Sequence, residues 1–196
     1  MIKRGRALLE AAAGQPVTAF RAGSFAANGD TLAAVVEAGL NIDSSLNISC
    51  PLSGVDLRDS IDLTAQQRYQ GLQLVPLSVF RDGFGKLRHA QVGACSVAEL
   101  QQAMQDAQYK GHSAFTVLSH NFEMLQSSSA KPDPWVVRRF ERLCGFLATR
   151  RDDLPTRGFH ETPVFPDVAS PLEQPGVGCL ATLNRYYEQT LRRLNR

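Results

Sequence analysis

The stretch TAFRAGSFAANGDTL, Thr18 to Leu32, carries a short apolar run onto an arginine, passes through Ala-Gly-Ser, and begins a helical pattern near Asp30. A short strand followed at once by a turn and a helix is the repeating unit of parallel α/β architecture. Arg21 then has two readings. It is a site arginine at the carboxyl end of a buried strand, or a surface charge on a turn, where an ion pair stabilises little.

Outward from this stretch, helical and strand-like segments alternate. Ile2 to Ala13 reads as a helix stopped by Gly14 and Pro16, and Val17 to Arg21 as a strand. Asp30 is expected to cap a helix whose Leu32, Val35 and Val36 share a face and which ends at Gly39. Leu40 to Asp43 is the next strand and opens into Ser44-Ser45. After a polar, turn-rich stretch, Leu74 to Phe80 reads as one strand and RDGFGK, Arg81 to Lys86, as a loop or hairpin tip.

Ser96 and Glu99 in SVAE form a capping box, and Val97, Leu100, Met104 and Ala107 give the helix behind it a buried stripe that closes at Gly111. Ala114 to Ser119 reads as an apolar strand running into His120. Asp133-Pro134 starts a further helix with Val137, Phe140, Cys144 and Leu147 on one side. The last helix has Leu180, Leu183, Tyr187, Leu191 and Leu194 as its stripe, and the Pro- and Gly-rich run Asp152 to Gly178 before it reads as a long loop.

The expected fold class is therefore α/β, mostly parallel strands with outer helices, in a single domain over residues 1–196. The chain is 43% hydrophobic and 20% charged with a formal charge of +2, which suits one ordinary core and argues against a polyanion-binding surface. No nucleic-acid partner, signal peptide or membrane span is expected, and a soluble, cytoplasmic chain is. The four cysteines, Cys50, Cys95, Cys144 and Cys179, lie far apart without a C-x-x-C pair, so small buried thiols are expected rather than a zinc knuckle or a disulfide framework.

Three expected strands end in residues that can do chemistry: Arg21, Asp43 and His120. In parallel α/β folds the carboxyl ends of strands share one face, where sites are built. A carboxylate beside an imidazole orients it for proton transfer, and an arginine steadies carboxylates or developing negative charge. Each residue also has a structural reading: Asp43 as an Asx turn with Ser44 and Ser45, Arg21 as a surface charge, His120 as a hydrogen-bonded cap.

FRAGSF followed by a helix, then GLNIDSSL, then VLSHNFEML resembles the later half of a polysaccharide deacetylase of the NodB-homology type, carbohydrate esterase family 4. Arg21 in R-A-G is similar to the arginine of the family's third motif, Asp43 with Ser44 or Ser45 to its fourth, and Leu118-Ser119-His120 to its fifth, in the same order. The resemblance implies a partial (β/α) barrel over about residues 1–150, with residues 151–196 adding a long loop and a C-terminal helix. It implies zinc-dependent hydrolysis of N-acetyl groups on an amino-sugar polymer. His120 would be the general acid to the departing amine, Asp43 its support, and Arg21 the partner of the acid–base carboxylate. Phe25 and Phe122 would flank the acetyl group or sugar ring, with Ser44, Ser45 and Asn121 on the substrate side.

The family's first two motifs, which carry the catalytic base and the zinc ligands, are absent from this sequence. The four histidines, His89, His112, His120 and His160, have no pair three or four residues apart, so no metal ligand pair is offered. A barrel lacking its first strands exposes sheet edges, which a homo-oligomer, a partner chain or the Asp152 to Gly178 loop would cover. Three functional readings follow: the later portion of a deacetylase, a non-catalytic carbohydrate-binding or assembly protein with the same groove, or an unrelated α/β enzyme.

Overall fold

The computed structural model describes residues 1–126, 129–161, 165 and 172–194. These residues form an α/β fold of five α-helices and six short strands in two sheets, with no closed barrel among them. The chain divides into two compact units, Met1–Leu77 with Arg157–Pro171 and Ser78–Thr156 with Leu172–Arg196. No helix among the described residues is long and apolar enough to cross a membrane.

The first unit begins with α1 (Ile2–Ala13), followed by β1 (Ala19–Phe20), α2 (Gly29–Glu37), β2 (Ile42–Asp43), β3 (Gln67–Tyr69) and β4 (Leu72–Leu74). The sheet order is β1-β2-β4-β3, with β1, β2 and β4 parallel and β3 antiparallel to β4. The parallel core thus matches the sequence reading, but the hairpin of β3 and β4 lies in the stretch read as polar turns. Its two-residue turn puts Gln70 at φ 48° and Gly71 at φ 85°, the left-handed pair that the twist of a tight hairpin requires. A Gln-Gly turn gives a weaker sequence signal than Asn-Gly.

Asn28, not Asp30, caps α2: its side chain accepts from Thr31 N–H, and the Thr31 hydroxyl accepts from Asn28 N–H. Asp30 sits in the first turn instead, where its charge suits the helix dipole. Leu32, Val35 and Ala38 of this helical segment pack with Leu40, Leu46, Leu57, Leu63, Leu72 and Leu74 in the core. Val36, assigned to that face from the sequence, is 40% exposed. Arg6 on α1 donates to the carbonyls of Ala38 and Gly39, satisfying the end of α2 with a cation. In the long loop, Phe165 is buried with Ile42 and Val75.

The second unit holds a hairpin of β5 (Val79–Arg81) and β6 (Leu87–His89), then α3 (Val97–Tyr109), α4 (Pro134–Thr149) and α5 (Cys179–Leu194). The single strand expected over Leu74 to Phe80 is two: β4 ends at Leu74 and β5 starts at Val79, with Pro76 between them removing a ladder donor. RDGFGK is the hairpin tip, closed by Asp82 N–H donating to Lys86 O. Ala114 to Ser119 is not a strand. It is extended chain with one bridge, Leu118 to Gln91, tied by Leu118 N–H to Ala90 O and by Val92 N–H to Leu118 O.

The Ser96–Glu99 capping box and the Asp133 cap with Pro134 at the helix start are present. The buried faces of the last two helices differ from the sequence reading. On α4 Val136, Arg139 and Leu143 are buried; of the expected face Phe140 and Cys144 are exposed, Val137 is half-buried, and Leu147 packs against the core. On α5 the buried residues are Ala181, Thr182 and Arg185, and of the expected stripe Leu180, Leu183, Tyr187 and Leu194 face outward while Leu191 is half-buried. The cause is a buried ionic cluster. Arg185 Nη2 lies 2.9 Å from Asp82 Oδ2 and its Nε 2.9 Å from Glu99 Oε1, so the helix turns its cation inward. Of the cysteines only Cys95 is buried; Cys50 is half-buried, and Cys144 and Cys179 are exposed thiols.

Candidate functional site

In the first unit, parallel pairing of Phe20 with Asp43 brings the ends of β1 and β2 side by side. Ser44 N–H continues the ladder by donating to Phe20 O, so the residues after each strand meet. Arg21 then reaches across: Nε donates to Ser44 O at 3.0 Å and Nη2 to Ser44 Oγ at 2.8 Å. Ser44 Oγ donates onward to Val75 O at 2.7 Å. Ala22 N–H donates to Ser45 Oγ, which donates to Asp43 Oδ2 at 2.7 Å, while Ser45 N–H donates to Asp43 Oδ1 at 2.9 Å.

Arg21 and Asp43 are therefore brought to the same strand ends, as the sequence suggests. Ser44 and Ser45 are fully buried with their hydroxyls engaged, so they tie the strand ends together rather than face a ligand. The Asx turn at Asp43 is also present. Ser24 and Phe25 both have positive φ, 54° and 56°, a strained pair for side-chain-bearing residues in the R-A-G-S-F turn. Phe25 is half-buried there.

Burial pushes the Asp43 carboxyl above the usual aspartate value, against the opposing pull of the Ser45 hydrogen bonds and of Arg21. A raised native value means that the folded chain holds this proton more tightly than the unfolded one. The stability associated with it is present at low pH and is lost as pH rises through the native value. Asp43→Asn keeps an acceptor for Ser45 N–H but does not titrate. The stability difference between D43N and wild type, from urea midpoints, should shift in favour of D43N between about pH 4 and about pH 7. A flat or reversed difference would refute the assignment.

In the second unit, the bridge between Leu118 and Gln91 delivers His120 next to the chain after β6. His120 opens a short 3-10 turn, Asn121–Met124, and Glu123 N–H donates back to His120 O. The turn folds Glu123 under the imidazole, with Glu123 Oε1 3.0 Å from His120 Nδ1. Gln91 Nε2 donates to the same carboxylate oxygen, and Gln91 Oε1 lies 2.7 Å from His89 Nε2. The His120 ring stacks on Phe122 at 4.8 Å between centroids, and Phe122 is 64% exposed. Asn121 is exposed, its Oδ1 accepting from Phe122 N–H.

The carboxylate that the structure gives His120 is thus Glu123, while both oxygens of Asp43 are taken by Ser45. Glu123 and Gln91 were not singled out from the sequence. The His-x-x-Glu spacing, which faces two side chains across one helical turn, could have pointed to the first. Only the chain crossing at Leu118 reveals the second.

Among the described residues, no group of three or more His, Cys, Asp or Glu could hold a metal ion. The described residues do not offer a donor set that fits the zinc implied by the family resemblance. No family model, no curated protein and no solved structure matches this chain. Fold and site together define an α/β protein with a strand-end Arg–Ser–Asp cluster in one unit and a partly exposed, carboxylate-held histidine in the other.

Proposed function

We propose that this chain is the later part of a NodB-type polysaccharide deacetylase, a partial (β/α) barrel whose residues serve N-acetyl hydrolysis on an amino-sugar polymer. The observation that carries the reading is His120. Its ring is partly exposed, held at Nδ1 by a carboxylate and stacked on an exposed phenylalanine. An imidazole held at one nitrogen has the other free to pass a proton to a departing amine, and an exposed aromatic face suits the apolar side of a sugar ring. Arg21 and Asp43, the residues that carry the resemblance to the third and fourth motifs, lie at the ends of β1 and β2. The zinc ligands and the catalytic base would come from another segment or chain bearing the first two motifs.

The test is titration of the chain with tetra-N-acetylchitotetraose while the His120 ring resonances are followed by NMR. A saturable shift at His120 is expected, and Phe122→Ala should weaken binding about 2- to 10-fold, the range of one aromatic contact. No shift at millimolar sugar overturns the reading. The second reading, carbohydrate binding without catalysis, rests on the exposed Phe122 ring stacked on His120. It is favoured if binding persists but no acetate is released when zinc and a polypeptide carrying the two absent motifs are added.

A further inference from the structure

We propose that Glu123 is a positioning residue that fixes the tautomer of His120, and that the missing side chain of Gly93 makes room for it. A carboxylate only accepts hydrogen bonds, so the nitrogen facing it must donate. With Glu123 Oε1 at 3.0 Å, neutral His120 carries its proton on Nδ1 and presents the Nε2 lone pair outward. Free imidazole in a peptide favours the opposite form, with the proton on Nε2, so the turn selects the less common tautomer.

The same rule fixes the rest of the chain of bonds. Gln91 must present its amide nitrogen to Glu123 and its oxygen to His89, so His89 donates from Nε2. The order is His89 to Gln91 to Glu123, with His120 donating to the same carboxylate. When Nε2 of His120 accepts a proton, the imidazolium that forms lies against the Glu123 carboxylate. When it gives that proton up at Nε2, the Nδ1–H bond is unchanged.

Gly93 explains why the carboxylate can sit where it does. A Cβ built on Gly93 would lie 2.5 Å from Glu123 Oε2 and 3.0 Å from its Cδ. Gly93 is not among the residues with positive φ, so its need for glycine is spatial, and alanine is compatible with its backbone. Arg139 Nη1 donates to Gly93 O at 3.3 Å and pins that backbone in place. Glu123 Oε2 is buried and has no hydrogen-bond partner among the described residues, so Oε1 alone holds the carboxylate against Gln91 and His120. Displacing it by the width of a methyl group should release His120.

The use of this arrangement in hydrolysis rests on the reading above, but the arrangement itself does not, and its test uses no sugar. Long-range proton–nitrogen NMR of the 15N-histidine-labelled chain separates the two tautomers by their nitrogen shifts. At a pH where the ring is neutral, wild type and Glu123→Gln, which keeps an acceptor oxygen, should both show His120 protonated at Nδ1. Glu123→Ala and Gly93→Ala should move it to the Nε2-protonated form of a free imidazole. Wild-type His120 protonated at Nε2, or a tautomer unchanged in Glu123→Ala, overturns the proposal. If Glu123→Ala does not fold, the wild-type spectrum and Gly93→Ala decide. An Nδ1–H signal with no response to chitotetraose would leave this inference standing and end the deacetylase reading.

Discussion

Arg185→Ala is expected to destabilise the second unit by about 3–5 kcal/mol, the usual cost of removing one partner from a buried ion pair. Arg185 is 2% exposed and serves two carboxylates at once, Asp82 at 4% and Glu99 at 0% exposure. Those carboxylates have other bonds: Asp82 Oδ1 accepts from the amides of Phe84 and Lys86, and Glu99 Oε2 from Ser96 N–H. They therefore stay in place when the guanidinium is gone, buried and without a cation. Arg185→Lys restores charge but not the fork that spans both acids, so its loss should be intermediate. The single tryptophan, Trp135, lies on α4 in this unit, so a urea transition followed by its fluorescence reads the effect directly. A change under about 1 kcal/mol in Arg185→Ala, the range of an exposed pair, would mean that the cluster is solvated.

Leu74→Ala should cost the first unit about 2–5 kcal/mol, a transfer loss plus the cavity left behind. Leu74 is fully buried on β4, and it packs in the cluster that contains Leu32 and Val35 of α2 together with Leu40, Leu46 and Leu72. The site of collapse is limited because Leu74 is held in register by Asp43 on one side and Gln67 on the other. Hydrogen exchange at the Val75 amide, which donates to Asp43 O at 2.8 Å, should quicken by the corresponding factor. Unaltered exchange there would show that β4 does not share the stability of the unit's core.

Some of this was legible in residues alone. The Arg21 turn and the paired ends of β1 and β2 follow from short apolar runs broken by Arg-Ala-Gly and by Asp-Ser-Ser, because such signals are local. The Ser96–Glu99 box and the Asp133 cap are equally local. The hairpin of β3 and β4 was missed because Gln-Gly is a poor turn signal and its strands are only three residues each. The run Ala114 to Ser119 looked like a strand because it is apolar, yet it makes a single bridge, and a strand exists only where a neighbour offers its ladder.

The sequence by itself determined the α/β class, the positions of the helices and the placing of Arg21 and Asp43 at strand ends. Each depends on periodicity, caps and turns within a few residues of chain. Only the tertiary structure decided which way α5 faces and which carboxylate holds His120. An apolar stripe on α5 predicts the opposite face, but a cation at Arg185 meeting two buried acids from β5's end and from α3 outweighs it. Glu123 reaches His120 through one turn, but Gln91 and Gly93 reach Glu123 only because the chain near Leu118 runs alongside them. Contacts between residues distant in sequence carry no local signature, and it is these that orient the histidine.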